Sequence, residues 1–333
     1  MDRGAQDIGI PPGRLALYGH GLLGSRSEVD AGNVRDMANE HQMVYCASDW
    51  IGMAEEDVGN ALEILQELGK FPTLADRVQQ GVLNMLFLGR LMIHEDGLTS
   101  EEPFQRDGQP VVSTDDLFFD GNSQGAIIGG VATAVAQDWE RAVLGVGGMN
   151  YSTLLRRSVD FDTYAQILEP AYPDEVERTL SLGLIQMLWD RAESNGYAAH
   201  LTDDPYPDTP AHAVLLHEAF GDHQVANVTL EVLARTAGVR LWTPALADGR
   251  DDAPDPYWDL AAAEDGDEGS VLVVWDSGTP APPEENLPPR GGTDPHEDPR
   301  ADMKARQQKS DFLQTGGRFM DVCDGPCTAP SVG

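Results

Sequence analysis

A single pentapeptide, GNSQG at residues 121–125, restricts the fold of this chain more than any other segment. Residues 117–120 predict an apolar strand that enters it, and residues 126–137 predict a helix of small residues that leaves it. The glycines on either side of Ser123 allow the strand and the helix to approach each other closely. The segment therefore indicates a sharp strand-turn-helix connection, as found in sheets covered by helices.

Alternating strand and helix patterns along the rest of the chain support the same fold class. Further strands are predicted at residues 14–18, 43–47, 141–146, 213–216 and 270–275. Helices are predicted at residues 29–40, 55–68, 76–93, 226–237 and 300–313. This alternation predicts an α/β fold with a mostly parallel, doubly wound sheet and right-handed crossovers, formed by residues 1–333 as a single domain.

The strand pattern stops between residues 149 and 201, where apolar residues recur at helical spacing. These include Leu180, Leu184, Ile185, Met187 and Leu188. Core packing accounts for such a pattern. A helical insertion at this place would also lie above the ends of the strands, so residues 150–205 are expected to form a helical cap or lid within the domain.

Charge excludes several classes of partner. The chain has 56 acidic and 22 basic residues, which gives a formal net charge of -34. Such a surface repels phosphate groups, so we expect no nucleic-acid partner and no binding to anionic membranes. No apolar stretch is long enough to predict a membrane span. The oligomeric state is left open, and a homo-oligomer is compatible with the sequence.

Localisation is also left open by the sequence. Residues 1–13 contain no apolar run typical of a signal peptide. Either the protein is cytoplasmic, or it is exported to the periplasm or the medium by a signal that this sequence does not include. Cys323 and Cys327 either close a small disulfide loop or remain free thiols. Without a second pair of Cys or His residues nearby, a zinc site there is not expected.

Ser123 is the candidate nucleophile, and a serine hydroxyl needs a base that an acid holds in place. At a strand-to-helix turn of this kind, the chain order is serine, then Asp or Glu, then histidine. Asp222 follows the strand predicted at 213–216, and His296 follows the strand predicted at 270–275. Both loops are expected at the same edge of a parallel sheet, so these three residues are the candidate triad.

Other residues compete for the acid and base roles. Chain order disfavours six histidines as the base, namely His20, His41, His94, His200, His212 and His217. His223 directly follows the proposed acid and remains an alternative. Rival carboxylates are Asp203, Asp204, Asp251, Asp252, Asp255 and Asp276. Asp276 is the strongest rival because it directly follows the strand predicted at 270–275.

Negative charge that develops on a carbonyl oxygen requires N–H donors already aimed at it. One candidate donor is the backbone N–H of Gln124, directly after Ser123. The second is expected in the loop after the first strand, where the sequence HGLLG begins at His20 and the N–H of Leu22 is the candidate. An ordinary tight turn is the alternative interpretation of this loop.

With these motifs in this order, the chain resembles the α/β-hydrolase superfamily, and its bacterial esterases and lipases in particular. The resemblance covers residues 15–313 and implies a triad of Ser123, Asp222 and His296. It also implies an oxyanion hole formed by Leu22 and Gln124, and no metal or organic cofactor. Two features depart from the family. The antiparallel strands that usually open the fold are either missing or lie outside this sequence. The sheet edge that they would cover is then left to a dimer contact, the tail around Cys323 or a further N-terminal segment. In addition, Asp120 places a polar residue in the elbow strand.

The resemblance implies a serine carboxylic ester hydrolase that acts on a small-molecule ester through an acyl-enzyme. The residues expected to bind the substrate are His20, Leu23, Leu184, Met187, Leu188 and Trp189. A peptidase, a lactonase or a polyester hydrolase would use the same triad. A non-catalytic binding protein with this fold is a further alternative. A calcium-dependent role for the acidic segment 248–267 is a further hypothesis, but its residues do not match the spacing of a calcium-binding loop.

Overall fold

A computed structural model describes residues 12–253 and 255–332 of the chain. The strands, numbered along the chain, are β1 Gly13–Gly19, β2 Met43–Cys46, β3 Gln105–Arg106, β4 Gln109–Pro110, β5 Val112–Asn122, β6 Arg141–Gly145, β7 Ala213–Ala219, β8 Arg240–Leu241, β9 Val271–Asp276 and β10 Cys327–Thr328. The α-helices are α1 Gly32–His41, α2 Val58–Gln66, α3 Pro72–Ile93, α4 Gln124–Ala134, α5 Tyr151–Leu154, α6 Phe161–Ala171, α7 Glu175–Trp189, α8 Asn227–Thr236, α9 Asp298–Ala301 and α10 Met303–Phe312.

The main sheet has the strand order β10-β9-β7-β6-β5-β1-β2, and β8 pairs beside β9. Every pairing in this sheet is parallel, whereas β3 and β4 form a separate antiparallel hairpin. The strand β5, which leads to Ser123, lies between β1 and β6 near the middle. The predicted α/β fold with a mostly parallel sheet is confirmed.

Helices cover both faces of the sheet, as the buried residues of β5 show. Leu117 and Phe119 belong to a core that includes side chains of α3 and α4. Phe118, which points to the opposite face, packs in a second core with Met37 of α1 and Phe312 of α10. Because both faces are buried, the central strands are apolar runs rather than alternating patterns.

The bounds of some elements differ from those predicted. The strand β5 begins at Val112, before the start predicted at residue 117. Its polar residues 113–116 are half-buried or exposed, whereas the residues from Leu117 onward are buried. The helix expected at 300–313 is interrupted at Asp302, whose side chain accepts hydrogen bonds from the backbone N–H groups of Lys304 and Ala305. This carboxylate caps α10 and thereby separates it from α9.

Asp120, the polar residue in the elbow strand, is buried and paired. Its carboxylate accepts hydrogen bonds from Lys309 Nζ of α10 at 2.9 and 3.3 Å and from the Tyr45 hydroxyl at 3.4 Å. Arg14 of β1 also bonds to α10, where its guanidinium donates to the carbonyl oxygens of Ser310 and Leu313. These contacts hold the helix α10 against β1 and β5 on the face opposite α4.

The C-terminal segment covers one edge of the sheet. Residues Cys323 and Cys327 form a disulfide, and Cys327 pairs in parallel with Trp275 of β9. The strand β2 lies at the other end of the sheet. The tail therefore covers the β9 edge and not the β2 edge.

Candidate active site

Ser123 lies in the sharp turn between β5 and α4 with a backbone φ of 59° and ψ of -130°. A residue with a Cβ seldom adopts a positive φ, so this turn is strained. A Cβ added at Gly121 would collide with the carbonyl oxygen of Gly125, and one at Gly125 would collide with that of Gly19. Only glycine at these two positions permits β1, β5 and α4 to approach so closely.

Asp222 and His296 meet at the same edge of the sheet. The Nδ1 atom of His296 lies 2.8 Å from Oδ2 of Asp222, and both side chains are buried. The other oxygen, Oδ1, accepts from the backbone N–H groups of Gln224 and Val225 at 2.8 and 3.0 Å. An ionised carboxylate only accepts, so the proton of the neutral ring lies on Nδ1 and the lone pair lies on Nε2.

Ser123 and His296 both line an open cleft of about 840 Å³. Within residues 12–253 and 255–332, no hydrogen bond joins the Ser123 hydroxyl to the His296 ring. Contacts of this type often tighten only when a substrate is bound. The arrangement thus brings a strained serine and an oriented imidazole to one cleft.

The rival acid and base make other contacts. Asp276 accepts from Arg250 Nη2 at 2.7 Å and from the backbone N–H of Gly278 at 2.8 Å. His223 Nε2 lies 3.2 Å from the carbonyl oxygen of Gly291. Asp222 is therefore the carboxylate that contacts the ring of His296.

The loop after β1 is tied to the first turn of α4 by the Gln124 side chain. Its Nε2 donates to the carbonyl oxygens of Gly21 and Met53 at 3.1 and 2.9 Å, and its Oε1 accepts from Leu23 N–H at 3.4 Å. Sequence reasoning assigned Gln124 only a backbone role. A polar side chain at the start of an otherwise apolar helix was the available signal for this tie.

The backbone N–H groups of this loop differ in whether they have an acceptor. Gly21 N–H donates to Glu28 Oε2 at 2.8 Å, and Gly24 N–H donates to the Gly21 carbonyl oxygen at 3.2 Å. Leu22 N–H makes no hydrogen bond to any residue that the structure describes. Gln124 N–H is at the N-terminal end of α4, where a helix leaves such groups free.

His20 supports the loop through two hydrogen bonds. It lines neither the cleft nor an apolar cavity that lies beside Ser123. Its Nε2 accepts from the Trp50 backbone N–H at 2.8 Å, which leaves Nδ1 to donate to the Gly21 carbonyl oxygen at 2.9 Å. Burial lowers the pKa of this ring, which favours the neutral form that these bonds require. The expected substrate-binding residue is thus placed as a support for the loop.

A second space, an apolar cavity of about 120 Å³, opens beside Ser123. Its walls include Ile64, Phe71, Leu154, Phe161, Ile185 and Trp189. Of the residues expected to bind substrate, Leu23 and Trp189 line this cavity. Leu188 packs against the core, whereas Leu184 and Met187 are 66% and 72% exposed.

The face that α7 turns inward explains this difference. Its buried residues follow the spacing of one helical face and are Arg178, Leu182, Ile185, Gln186 and Trp189. Leu184 and Met187 lie on the other side. Because α7 carries apolar residues on several sides, the sequence pattern does not reveal which side faces the cavity.

Two groups near the cavity were not found from the sequence. Tyr151 stacks on Trp189 with ring centroids 4.2 Å apart, and burial raises the pKa of its hydroxyl. Asp160 lines both the cavity and the cleft. Burial raises the pKa of Asp160. Nothing in the local sequence around Asp160 indicates this position.

Among the described residues, no group of three or more His, Cys, Asp or Glu side chains could hold a metal ion. The same residues include no helix that is both long and apolar enough to span a bilayer.

No protein-family model matches the sequence, and no curated protein is significantly similar to it. Solved structures similar to the chain include an acylaminoacyl peptidase from Pyrococcus horikoshii, at 14% identity and a TM-score of 0.48. That match covers 94% of this chain, which spans only 39% of the peptidase. An acetyl xylan esterase from Thermoanaerobacterium sp. matches at 14% identity and a TM-score of 0.44, over 80% of this chain and 69% of the esterase.

The chain's own strand order and the strained serine turn define its fold class. The parallel sheet is covered by helices on both faces, and Ser123 stands at the turn from a central strand into a helix. These are the features of the α/β-hydrolase fold.

Proposed function

We propose that this chain is a serine hydrolase that cleaves carboxylic esters through an acyl-enzyme, with Ser123, His296 and Asp222 as its triad. The observation that carries the proposal is the buried bond from His296 Nδ1 to Asp222 at the cleft that Ser123 lines. It leaves Nε2 as a base on the side of the cleft. The strained turn presents the hydroxyl in the same space.

In the first half of the reaction, the Ser123 oxygen attacks the ester carbonyl carbon while His296 Nε2 takes the hydroxyl proton. The carbonyl oxygen becomes an oxyanion. When the tetrahedral intermediate collapses, the bond to the alcohol oxygen breaks and the alcohol leaves with the proton from Nε2. In the second half, His296 takes a proton from water, the water oxygen attacks the acyl carbon, and Ser123 is released with that proton.

We assign the oxyanion hole to the N–H groups of Leu22 and Gln124. The neighbouring N–H groups of Gly21, Leu23 and Gly24 already have acceptors, which leaves Leu22 as the free donor of the loop among the described residues. The Gln124 side chain fixes the loop relative to α4, so both donors are held in place before the substrate arrives. Donors that need no reorganisation stabilise the transition state most effectively.

We further assign the segment 150–205 as a cap over the site. The helices α5, α6 and α7 lie in it, and each contributes side chains to the wall of the apolar cavity. Tyr151 and Leu154 come from α5, Phe161 from α6, and Ile185 and Trp189 from α7. The insertion between β6 and β7 would thus determine which acyl groups the site accepts.

Hydrolysis of p-nitrophenyl acetate and butyrate tests the proposal. We expect the wild type to hydrolyse both and Ser123→Ala to lose at least about 10³-fold in kcat. The matched control Ser100→Ala removes an exposed serine hydroxyl and should retain activity. Equal rates for wild type and Ser123→Ala would refute the role of Ser123.

Labelling with a fluorophosphonate separates an enzyme from a binding protein. A reactive serine should become covalently labelled at Ser123, whereas a binding protein with this fold should not react. Cleavage of a p-nitroanilide in preference to the matched ester would assign amide hydrolysis to the same triad and replace the ester proposal.

A further inference from the structure

Two spaces of different polarity meet at Ser123. One is the apolar cavity, and the other is the larger cleft, whose lining is partly polar and partly apolar. The polar residues that line the cleft include Glu28, Asn33, Asp160, Thr163, Glu297 and Arg300. The acyl part and the alcohol part of an ester bound at Ser123 would therefore lie in different spaces, one apolar and one partly polar.

The position of His296 decides which part enters which space. His296 lines the cleft and is not among the residues that line the cavity. In the proposed mechanism, the alcohol oxygen receives its proton from His296 Nε2 as it leaves. The alcohol must therefore lie on the cleft side, and the acyl group is left with the apolar cavity.

The cavity is also small enough to limit the acyl group. An apolar protein cavity of about 150 Å³ binds a single benzene ring. The cavity beside Ser123 measures about 120 Å³, and its lining includes the stacked rings of Tyr151 and Trp189. A short acetyl group would leave much of this space unfilled, and a long fatty acyl chain would exceed it.

We infer that the preferred substrates are esters of a compact apolar acid, with an acyl group of about six carbons or one phenyl ring, joined to a polar alcohol. This inference rests on the proposed function, because it uses His296 as the proton donor to the leaving alcohol. It extends that function by assigning a substrate class and an orientation.

Two isomeric esters test the orientation directly. Ethyl hexanoate and hexyl acetate have the same formula and differ only in which side of the ester carries the apolar chain. Each buried methylene group is worth roughly fourfold in binding, so kcat/KM for ethyl hexanoate should exceed that for hexyl acetate by at least tenfold. Equal or reversed values would overturn the inference.

A variant of the cavity wall tests the location. Ile185→Trp would fill the cavity from α7 and should lower the hexanoate-to-acetate ratio of p-nitrophenyl esters by about tenfold. Leu180→Trp is the matched control, since Leu180 lies on the same helix and is 64% exposed. It should leave the ratio unchanged. If Ile185→Trp does not fold, Ile185→Ala enlarges the cavity and should shift the preference towards octanoate.

The outcomes separate this inference from the proposed function. Hydrolysis that requires Ser123 but shows no preference for hexanoate over acetate, or an unchanged ratio in both Ile185 variants, would overturn the inference alone. Failure of the wild type to hydrolyse any of these esters would overturn the proposed function.

Discussion

At the scale of single residues, the two oxygens of Asp222 have separate tasks. Oδ1 holds the backbone N–H groups of Gln224 and Val225, and Oδ2 accepts the proton of His296 Nδ1. The first contact is structural and the second orients the proposed base. A substitution that keeps the backbone contacts of Oδ1 and reverses the hydrogen bond at Oδ2 can therefore separate an effect on folding from an effect on activity.

Asp222→Asn is such a substitution. Its amide oxygen can keep the contacts of Oδ1, while its NH₂ group faces His296 and forces the ring into the wrong tautomer. We expect kcat for p-nitrophenyl butyrate to fall about 10⁴-fold, with a melting temperature close to that of the wild type. A loss below tenfold in a well-folded variant would contradict the assignment of Asp222.

The residues of the candidate site differ in how well the sequence could reveal them. Ser123 is flanked by glycines, and Asp222 and His296 follow strong strands in the order that the elbow requires. The roles of Asp160 and of the Gln124 side chain depend on contacts between segments far apart in the chain. The polar side chain of Gln124 is conspicuous at the start of an apolar helix, but local patterns do not identify the residues that it or Asp160 contacts.

At the scale of elements, the helix α10 supports the elbow strand through a buried ion pair. Lys309 Nζ and the Asp120 carboxylate are both shielded from solvent. Removing one partner of a buried pair leaves the other charge uncompensated, whereas replacing both with apolar groups is often neutral. The stability of β5 therefore depends on α10, which supplies the cation that compensates the buried charge of Asp120.

Lys309→Met should lower the free energy of unfolding by about 3–5 kcal/mol, because it leaves Asp120 buried without its cation. The double variant Lys309→Met with Asp120→Leu should recover most of that loss. Urea denaturation of the wild type and both variants measures these differences. A double variant as unstable as the single one would show that the buried charge is not the cause.

Elements were predictable from the sequence where burial is uniform and less so elsewhere. The strands β1, β6 and β9 are mainly apolar, and each was predicted close to its observed bounds. The strand β7 was predicted to end at residue 216, but it continues through the buried polar residues His217 and Glu218 to Ala219. The start of β5 was missed because its first residues are polar. The inward side of α7 was missed because its apolar residues are not confined to one side.

At the scale of the whole molecule, acidic groups dominate, and some of them are buried. Glu193 accepts hydrogen bonds from the backbone N–H groups of Tyr151 and Asn195. Burial nevertheless raises the pKa of Glu193 from 4.5 to about 7. Between these two values, the native state retains a proton that the unfolded chain has lost.

The free energy of unfolding should therefore fall as the pH rises from about 5 to about 8. For an acid with a raised pKa in the folded state, the contribution is favourable at low pH and is lost up to the folded pKa. Glu193 accounts for on the order of 3 kcal/mol of this loss. Urea denaturation across this pH range should show a flatter profile for Glu193→Gln.

Glu101→Gln is the matched control, because Glu101 is exposed. Its pH profile should follow that of the wild type. A profile for Glu193→Gln as steep as that of the wild type would show that other groups cause the pH dependence.

The bonds from Arg14 to Ser310 and Leu313 have a consequence for the time course of synthesis. These partners are separated by 296 and 299 positions. A ribosome adds about 5–20 residues per second, so Arg14 is made roughly 15–60 seconds before the carbonyl groups that it finally binds. The nascent chain can align its first strands early, but the contacts between β1 and α10 form only after residue 313 has been synthesised.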